Sequence, residues 1–341
     1  MEHRTVLAAV MAILLLLFIF ESLHFSQALV SLPTRPSAIK VQDTLLQVAP
    51  KQPPPPPPPP YECSGLMDDA LITLKTGGVV TYARLPVHLD TTLRCIQNYL
   101  IVSDNDAEVG RYNTVDVISD LDNVTLQHHD FDLYREQNQQ SIYRGELSSL
   151  AHDTNGWNLD KYKFIPSIRR AWLEAKDNEK INWFVFMEDD TAIHWDNVRR
   201  LLDHYSSEQD PRHSKLFLGS LSLINDKAFA HGGSGYILSR HAMEETVGKS
   251  PDEWLAKWGP KALHECCGDY LLARALEEDD IHLVNAYPTL SGYKLATADF
   301  HDGLWCQPFA TMHHTSPQFI ANLWSLGKEA SKYWNRPTVS L

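Results

Sequence analysis

The chain has few basic side chains, no Cys-x-x-Cys pair and no internal repeat. Its 30 lysines and arginines face 43 aspartates and glutamates, which gives a net charge of −13. A surface of that sign argues against nucleic acid as a partner. The missing cysteine pairs argue against a zinc–thiolate site, and the missing repeats argue against solenoids and propellers. What remains is a 341-residue globular chain whose 43% hydrophobic content supplies ample core.

A continuous apolar run near the amino end, residues 6–20, lies between Arg4 and Glu21. This pattern is typical of an export signal. As a helix it would be about 22 Å long, less than the roughly 30 Å of a bilayer core, so we expect an uncleaved type II anchor in a thin or locally thinned membrane. The alternative is a signal peptide that is cleaved near Ala28. Both interpretations place the rest of the chain in the lumen of the secretory pathway.

A stalk is predicted between this segment and the folded part. Eight consecutive prolines, residues 53–60, form a polyproline II rod of roughly 25 Å. The folded part then begins near Tyr61 and is expected to be one α/β domain with long loops. The predicted organisation is a cytoplasmic tail (1–5), a signal-anchor segment (6–28), a proline-rich stem (29–60) and a lumenal domain (61–341).

Five cysteines follow the apolar run, and they lie in a compartment where disulfides persist. They are Cys63, Cys95, Cys266, Cys267 and Cys306. The odd number leaves at least one of them unpaired. Adjacent cysteines do not easily bridge to each other, so we expect Cys266 or Cys267 to pair with Cys306.

Short apolar runs alternate with helical patterns along the folded part. The runs are continuous rather than alternating, as expected for strands that are covered on both faces in a largely parallel sheet. They are residues 70–74, 99–102, 183–187, 216–218 and 281–284. Helices are predicted over 159–175, with Pro166 near the first turn, and over 269–276. The pattern predicts a sheet between two layers of helices.

The predicted strand 183–187 ends in the run Glu188-Asp189-Asp190-Thr191. Ligands bind at such strand ends in open α/β sheets. Three adjacent carboxylates repel one another, and a divalent metal relieves that repulsion. A solvated turn is the alternative, as is a helix that begins near Ala192 and is capped by Asp190.

The same run resembles the Asp-x-Asp motif of nucleotide-sugar glycosyltransferases of family 31, which includes Fringe and the core 1 β1,3-galactosyltransferase. Further segments resemble that family in order and spacing, and the likeness extends from about Ala70 to Trp324. They are Thr73-Leu74-Lys75-Thr76, Val102-Ser103-Asp104, Gly232-Gly233-Ser234-Gly235-Tyr236, Gly268-Asp269-Tyr270 and the segment from Trp305-Cys306 to His313-His314. The residues 157–166 and 231–236 are most similar to fungal members of the family.

The resemblance implies a GT-A fold, a UDP-sugar donor, a manganese ion and an inverting transfer that produces a β linkage. It implies Asp269 as the catalytic base and Asp190 and His314 as metal ligands, with His313 as the rival of His314. The other histidines are expected to be surface or core groups. Donor contacts are implied for Lys75, Thr76, Asp104, Glu188, Asp189, Gly232 and Gly233.

Two positions depart from the family pattern. Glu188 stands where the motif has Asp, and Gly268 replaces a Glu that precedes the catalytic Asp. The leading hypothesis is a Golgi or endoplasmic-reticulum β1,3-glycosyltransferase that moves a hexose from a UDP-sugar to a glycan or glycoprotein. The alternative, which the two departures motivate, is a catalytically silent relative that binds glycans or nucleotide-sugars.

Overall fold

The structure is a computed structural model that describes residues 66–140, 155–298, 304 and 307–334. The predicted tail, signal anchor and stem lie outside the described residues, as do Cys63 and Cys306. In the part of the chain that the structure describes, no helix combines the length and apolar character needed to span a membrane.

A seven-stranded mixed sheet forms the centre of the domain, and thirteen strands are described in all. They are β1 (Ala70–Lys75), β2 (Tyr99–Ser103), β3 (Glu108–Val109), β4 (Tyr112–Asn113), β5 (Val115–Asp116), β6 (Trp183–Glu188), β7 (Ala192–Ile193), β8 (Phe217–Gly219), β9 (Leu221–Ile224), β10 (Lys227–Ala230), β11 (Tyr236–Ser239), β12 (Leu283–Asn285) and β13 (Thr311–Met312). The order in the main sheet is β12-β8-β11-β6-β1-β2-β5. Within it β11 runs antiparallel to both of its neighbours, and the other six strands share one direction.

Helices cover both faces of this sheet. They are α1 (Thr81–Asp90), α2 (Asp132–Gln140), α3 (Asn155–Ala175), α4 (Trp195–Glu208), α5 (Arg240–Glu245), α6 (Pro251–Trp258), α7 (Gly268–Glu277) and α8 (Pro317–Trp334). Alternate residues of β6 point to opposite faces, so Phe184 packs with α3, α6 and α7, whereas Val185 packs with α1 and α4. The predicted fold class, a mostly parallel sheet between helices, is confirmed.

The prediction for Pro166 is wrong, because the proline lies in the middle of α3 rather than near its first turn. A proline there removes one backbone hydrogen bond of the helix. Helix α3 nevertheless begins at Asn155, since residues before the proline, among them Leu159 and Tyr162, are buried against the core. Tertiary packing therefore outweighs the local cost of the proline.

The predicted cysteine pairing is also wrong. The structure joins Cys266 to Cys267, and Cys95 is disulfide-bonded as well. The prediction rested on the short separation of neighbouring Cα atoms, 3.8 Å here, which is below the usual range for disulfides. The backbone bends at Cys266, and Cys267 is the N-cap residue of α7.

Candidate functional site

The carboxyl ends of β1 and β6 lie side by side and form the base of the site. Lys75 and Glu188, the last residues of the two strands, are register partners. The residues that follow them therefore meet as well, and the Thr76 hydroxyl donates a hydrogen bond of 2.6 Å to Asp189 Oδ2. Parallel pairing thus brings together two segments that are far apart in the sequence.

Asp189 is the buried member of the acidic run, and its contacts hold the run in place. Arg84 of α1 donates to Asp189 Oδ1 at 2.8 Å, and His88 Nε2 lies 2.8 Å from the Asp189 carbonyl oxygen. Burial raises the pKa of the Asp189 carboxyl, although Arg84 and Thr76 oppose that shift. Arg84 and His88 were not predicted from the sequence, where neither belongs to a recognisable motif.

Asp190 faces two imidazoles. Nε2 of His313 lies 3.1 Å from Asp190 Oδ1, and Nδ1 of His314 lies 3.5 Å from Asp190 Oδ2. The antiparallel pair β7–β13 explains this, because Met312 pairs with Ala192, so the residues that follow Met312 lie beside the residues that precede Ala192. Asp190 does not cap a helix near Ala192, since α4 begins only at Trp195 with His194 at its N-cap position.

The ligand set of Asp190, His313 and His314 fits a divalent cation. One potential ligand atom from each residue lies within 4.8 Å of the others. Oδ1 of Asp190 is buried and has no hydrogen-bond partner among the described residues, since His313 is close to it but not aligned for a hydrogen bond. Carboxylate and imidazole together suit manganese. His313 is the nearer and more buried imidazole, and the choice of His314 over it stays a prediction.

The charge on His313 also supports a cation site at this cluster. Burial lowers the pKa of His313, but the carboxylates of Asp190 and Glu188 outweigh burial and raise the pKa to about 9. The cluster therefore attracts positive charge strongly enough to keep a proton on a buried imidazole. A divalent cation on these ligands would take the place of that proton.

Lys75 is enclosed by acidic and aromatic groups. Its ammonium lies 2.6 Å from Asp160 Oδ2, 3.0 Å from Glu188 Oε1 and 3.7 Å from the centre of the Phe164 ring. Burial favours loss of its proton, but the two carboxylates raise the pKa of Lys75 above its ordinary value. Two carboxylates thus neutralise this cation already, and its role as a donor contact stays a prediction. Asp160 was missed in the sequence, where it stands inside a helix without a motif.

Asp104 is 2% exposed and lies in a closed hydrogen-bond network. Its Oδ1 accepts from Lys163 Nζ at 3.0 Å and from Gly78 N at 2.9 Å, and its Oδ2 accepts from Gln137 Nε2 at 3.1 Å. Burial raises the pKa of Asp104, but Lys163 and these hydrogen bonds outweigh burial and lower it. The network ties β2 to α2 and α3, and the predicted donor contact of Asp104 stays a prediction.

We expect Lys163→Met to lower the free energy of unfolding by about 3–5 kcal/mol, because it leaves the Asp104 carboxylate buried without its cation. Urea denaturation would measure the change. Lys249→Met is the matched control, because Lys249 pairs with Asp279 on the surface and is 53% exposed. It should cost less than about 1 kcal/mol. Equal losses in the two variants would contradict a structural role for the buried pair.

The glycine turn packs directly against the metal-ligand cluster. A Cβ atom on Gly232 would lie 2.7 Å from Phe164 Cζ, and one on Gly233 would overlap the His313 ring. Gly235 has a φ of +75°, which side chains rarely adopt. Glycine is therefore required at these positions by close approach and by backbone conformation, and the turn holds His313 in place.

Asp269 lies in the first turn of α7 and faces the glycine turn. Its Oδ2 accepts a hydrogen bond of 2.9 Å from Gly232 N, and its Oδ1 accepts one of 2.8 Å from Tyr270 N. Burial raises the pKa of Asp269, and the two hydrogen bonds oppose that shift only in part. The N-cap position of α7 belongs to Cys267, so Asp269 is not the helix cap.

Gly268 lies where α3 leaves no room for a side chain. A Cβ atom on Gly268 would overlap Phe164 and would lie 2.9 Å from Lys161 Cα. The glutamate that the resemblance implies at this position therefore has no place in this chain.

A cavity of about 350 Å³ lies beside the candidate metal ligands and in front of Asp269. Glu188, Gly233 and His313 line it on the side of the metal ligands, Asp269 lines it too, and the remaining wall includes Trp157 and the Cys266–Cys267 disulfide. Trp157 is 76% exposed and is the first of several residues of α3 that line the cavity. The volume is at the lower end of the usual range for small-molecule sites.

Comparison with known proteins adds little to this geometry. No family model matches the chain. Among solved structures, the galactosyltransferase LgtC, determined in complex with donor and acceptor sugar analogues, is 12% identical with a TM-score of 0.34. The match covers 72% of this chain and 87% of that chain. A likeness at this level supports no conclusion about function.

Proposed function

We propose that this chain is an inverting, manganese-dependent β1,3-glycosyltransferase of family 31 that moves a hexose from a UDP-sugar to a glycan or glycoprotein. The observation that carries the proposal is a pair of carboxylates in different environments, one among the candidate metal ligands and one in the wall of the cavity beside them. Asp190 has a buried oxygen, 3.1 Å from His313 Nε2, that makes no hydrogen bond within the described part of the chain. Asp269 is a carboxylate whose pKa is raised by burial, and it lines the cavity that His313 also lines.

The two carboxylates suit the two tasks of a one-step inverting transfer. An acceptor oxygen forms a bond to the anomeric carbon while the bond from that carbon to the diphosphate oxygen breaks. Asp269 takes the acceptor proton, and its raised pKa makes it a stronger base than a solvated aspartate. A bound divalent cation supplies positive charge to the departing diphosphate.

The remaining site residues support the donor. The Gly232–Gly233 turn packs against Phe164 and His313, where a side chain would not fit, and it forms the proposed wall of the donor site, while the Gly232 amide donates to Asp269. Thr76 and Asp189 fix the turn after β6, and with it the position of Asp190. The apolar run at residues 6–20 and the proline stalk support a location in the Golgi or endoplasmic reticulum, with the domain in the lumen.

A UDP-release assay tests the proposal. The full-length chain in mild detergent is incubated with a panel of UDP-hexoses and glycoside acceptors, with manganese or with EDTA. We expect release with one or a few donors, dependent on the acceptor and abolished by EDTA. Manganese-dependent UDP binding without release for any donor and acceptor pair would favour the silent binding protein, and absence of UDP binding would contradict both functions.

A further inference from the structure

A second cluster of metal-ligating side chains lies apart from the cavity, in the turn before α2. It consists of His128, His129 and Asp130, which offer ligand atoms within 4.8 Å of one another. His129 Nε2 lies 3.3 Å from Asp130 Oδ1, and His128 Nδ1 lies 3.5 Å from the same oxygen. The two imidazoles thus converge on one carboxylate oxygen.

These separations match tetrahedral zinc. Zinc binds nitrogen and oxygen at about 2.0–2.2 Å, so two ligand atoms of a tetrahedral site are about 3.3–3.6 Å apart. Two imidazoles and a carboxylate are also a common ligand set for zinc, with water in the fourth position. Calcium and magnesium prefer oxygen ligands, and the cluster offers them a single carboxylate.

The second oxygen of Asp130 is held in the manner of a metal-binding carboxylate. The Tyr162 hydroxyl donates a hydrogen bond of 2.5 Å to Asp130 Oδ2, and Lys161 Nζ lies 3.4 Å from the same oxygen. Tyr162 is 1% exposed in the core-facing side of α3, so its hydroxyl fixes the carboxylate. Such hydrogen bonds from neighbouring groups orient the ligands of metal sites. Oδ1 is left facing the imidazoles.

We propose that His128, His129 and Asp130 form a zinc site in the turn before α2, and that Tyr162 of α3 holds its carboxylate ligand in place. Zinc would replace a long hydrogen bond of 3.3 Å from Asp130 N to His128 Nδ1. Lys161, whose ammonium also donates to the Glu265 carbonyl in the segment before α7, would stay beside Oδ2, the oxygen of Asp130 that does not face the imidazoles. The site is separate from the cluster of Asp190, His313 and His314 and does not depend on the proposed transferase activity.

The test measures zinc binding by the full-length chain in an Asp190→Asn background, which weakens the other metal-ligand cluster. Zinc content after dialysis and competition with a chromophoric chelator give stoichiometry and affinity. We expect one zinc that His129→Ala weakens about 100-fold and Tyr162→Phe about tenfold. His282→Ala is the control and should change nothing, because His282 is an exposed histidine 3.0 Å from Asp280.

Anomalous diffraction at the zinc edge locates the ion. A peak between His129 and Asp130 is expected. Equal zinc affinity in the His129→Ala and His282→Ala variants, or a protein that binds no zinc in the Asp190→Asn background, would overturn the site. Circular dichroism of each variant verifies the fold, and Tyr162→Phe keeps all three ligands, so a misfolded His129 variant leaves the test intact.

Discussion

Replacing Asp269 with asparagine is expected to lower kcat by about 10²–10⁴-fold, the usual contribution of a general base. An asparagine oxygen can still accept from the Gly232 amide, which Asp269 Oδ2 accepts from at 2.9 Å, so the glycine turn should keep its position. UDP and manganese should therefore bind to the variant as they do to the wild-type chain. UDP release measures kcat, and calorimetry measures UDP binding in the presence of manganese.

Asp252→Asn is the matched control for this substitution. Asp252 also lies in the first turn of a helix, α6, but its side chain is 85% exposed and lies outside the cavity lining. It should keep full activity. If Asp269→Asn kept more than half of the wild-type kcat, Asp269 would not be the base, and another cavity carboxylate would have to be considered.

The sheet could be predicted because its strands are buried on both faces. Continuous apolar runs such as 183–187 carry that information locally. The strand predicted over 281–284 was less accurate, since only Leu283–Asn285 pairs, at the edge of the sheet. The position of Pro166 could not be predicted in the same way. A local rule for prolines does not include the core contacts that keep α3 continuous across Pro166.

The site could be predicted only where a motif marks it. The acidic run predicted Asp190, and the Gly-Asp-Tyr segment predicted Asp269. The structure places His313 beside Asp190 and Gly232 beside Asp269. Arg84 is separated from Asp189 by 105 positions and comes from α1, a helix that the pattern did not mark. Contacts of this kind depend on how the helices pack, and the spacing of residues within one segment does not predict that packing.

Packing also decides which residue can stand at position 268, where the resemblance implies a glutamate. From the sequence, this departure suggested a loss of activity. In the structure the position is occupied by the approach of Phe164 and the Lys161 backbone. The close approach of α3 to α7 at this point therefore excludes any side chain. Asp269 keeps two backbone hydrogen bonds without it.

Replacing Asp190 with asparagine is expected to weaken manganese binding by about 100-fold or more, because the anionic ligand is lost while the two imidazoles remain. Manganese at 100 times its Kd should stabilise the wild-type chain by about 2.7 kcal/mol, so its Tm should rise with the metal and that of the variant should not. Thermal melts with and without manganese measure this directly. UDP release should fall with the loss of the metal.

Two further variants and a control test which histidine binds the metal. His313→Ala and His314→Ala separate the rival ligands, since the one that binds the metal should lose the manganese-dependent rise in Tm. Asp203→Asn is the control, because Asp203 pairs with Arg199 and is 65% exposed. Unchanged manganese binding by Asp190→Asn would place the metal elsewhere. It would leave Asp190, with Oδ1 beside His313 and Oδ2 beside His314, without the cation that this ligand set favours.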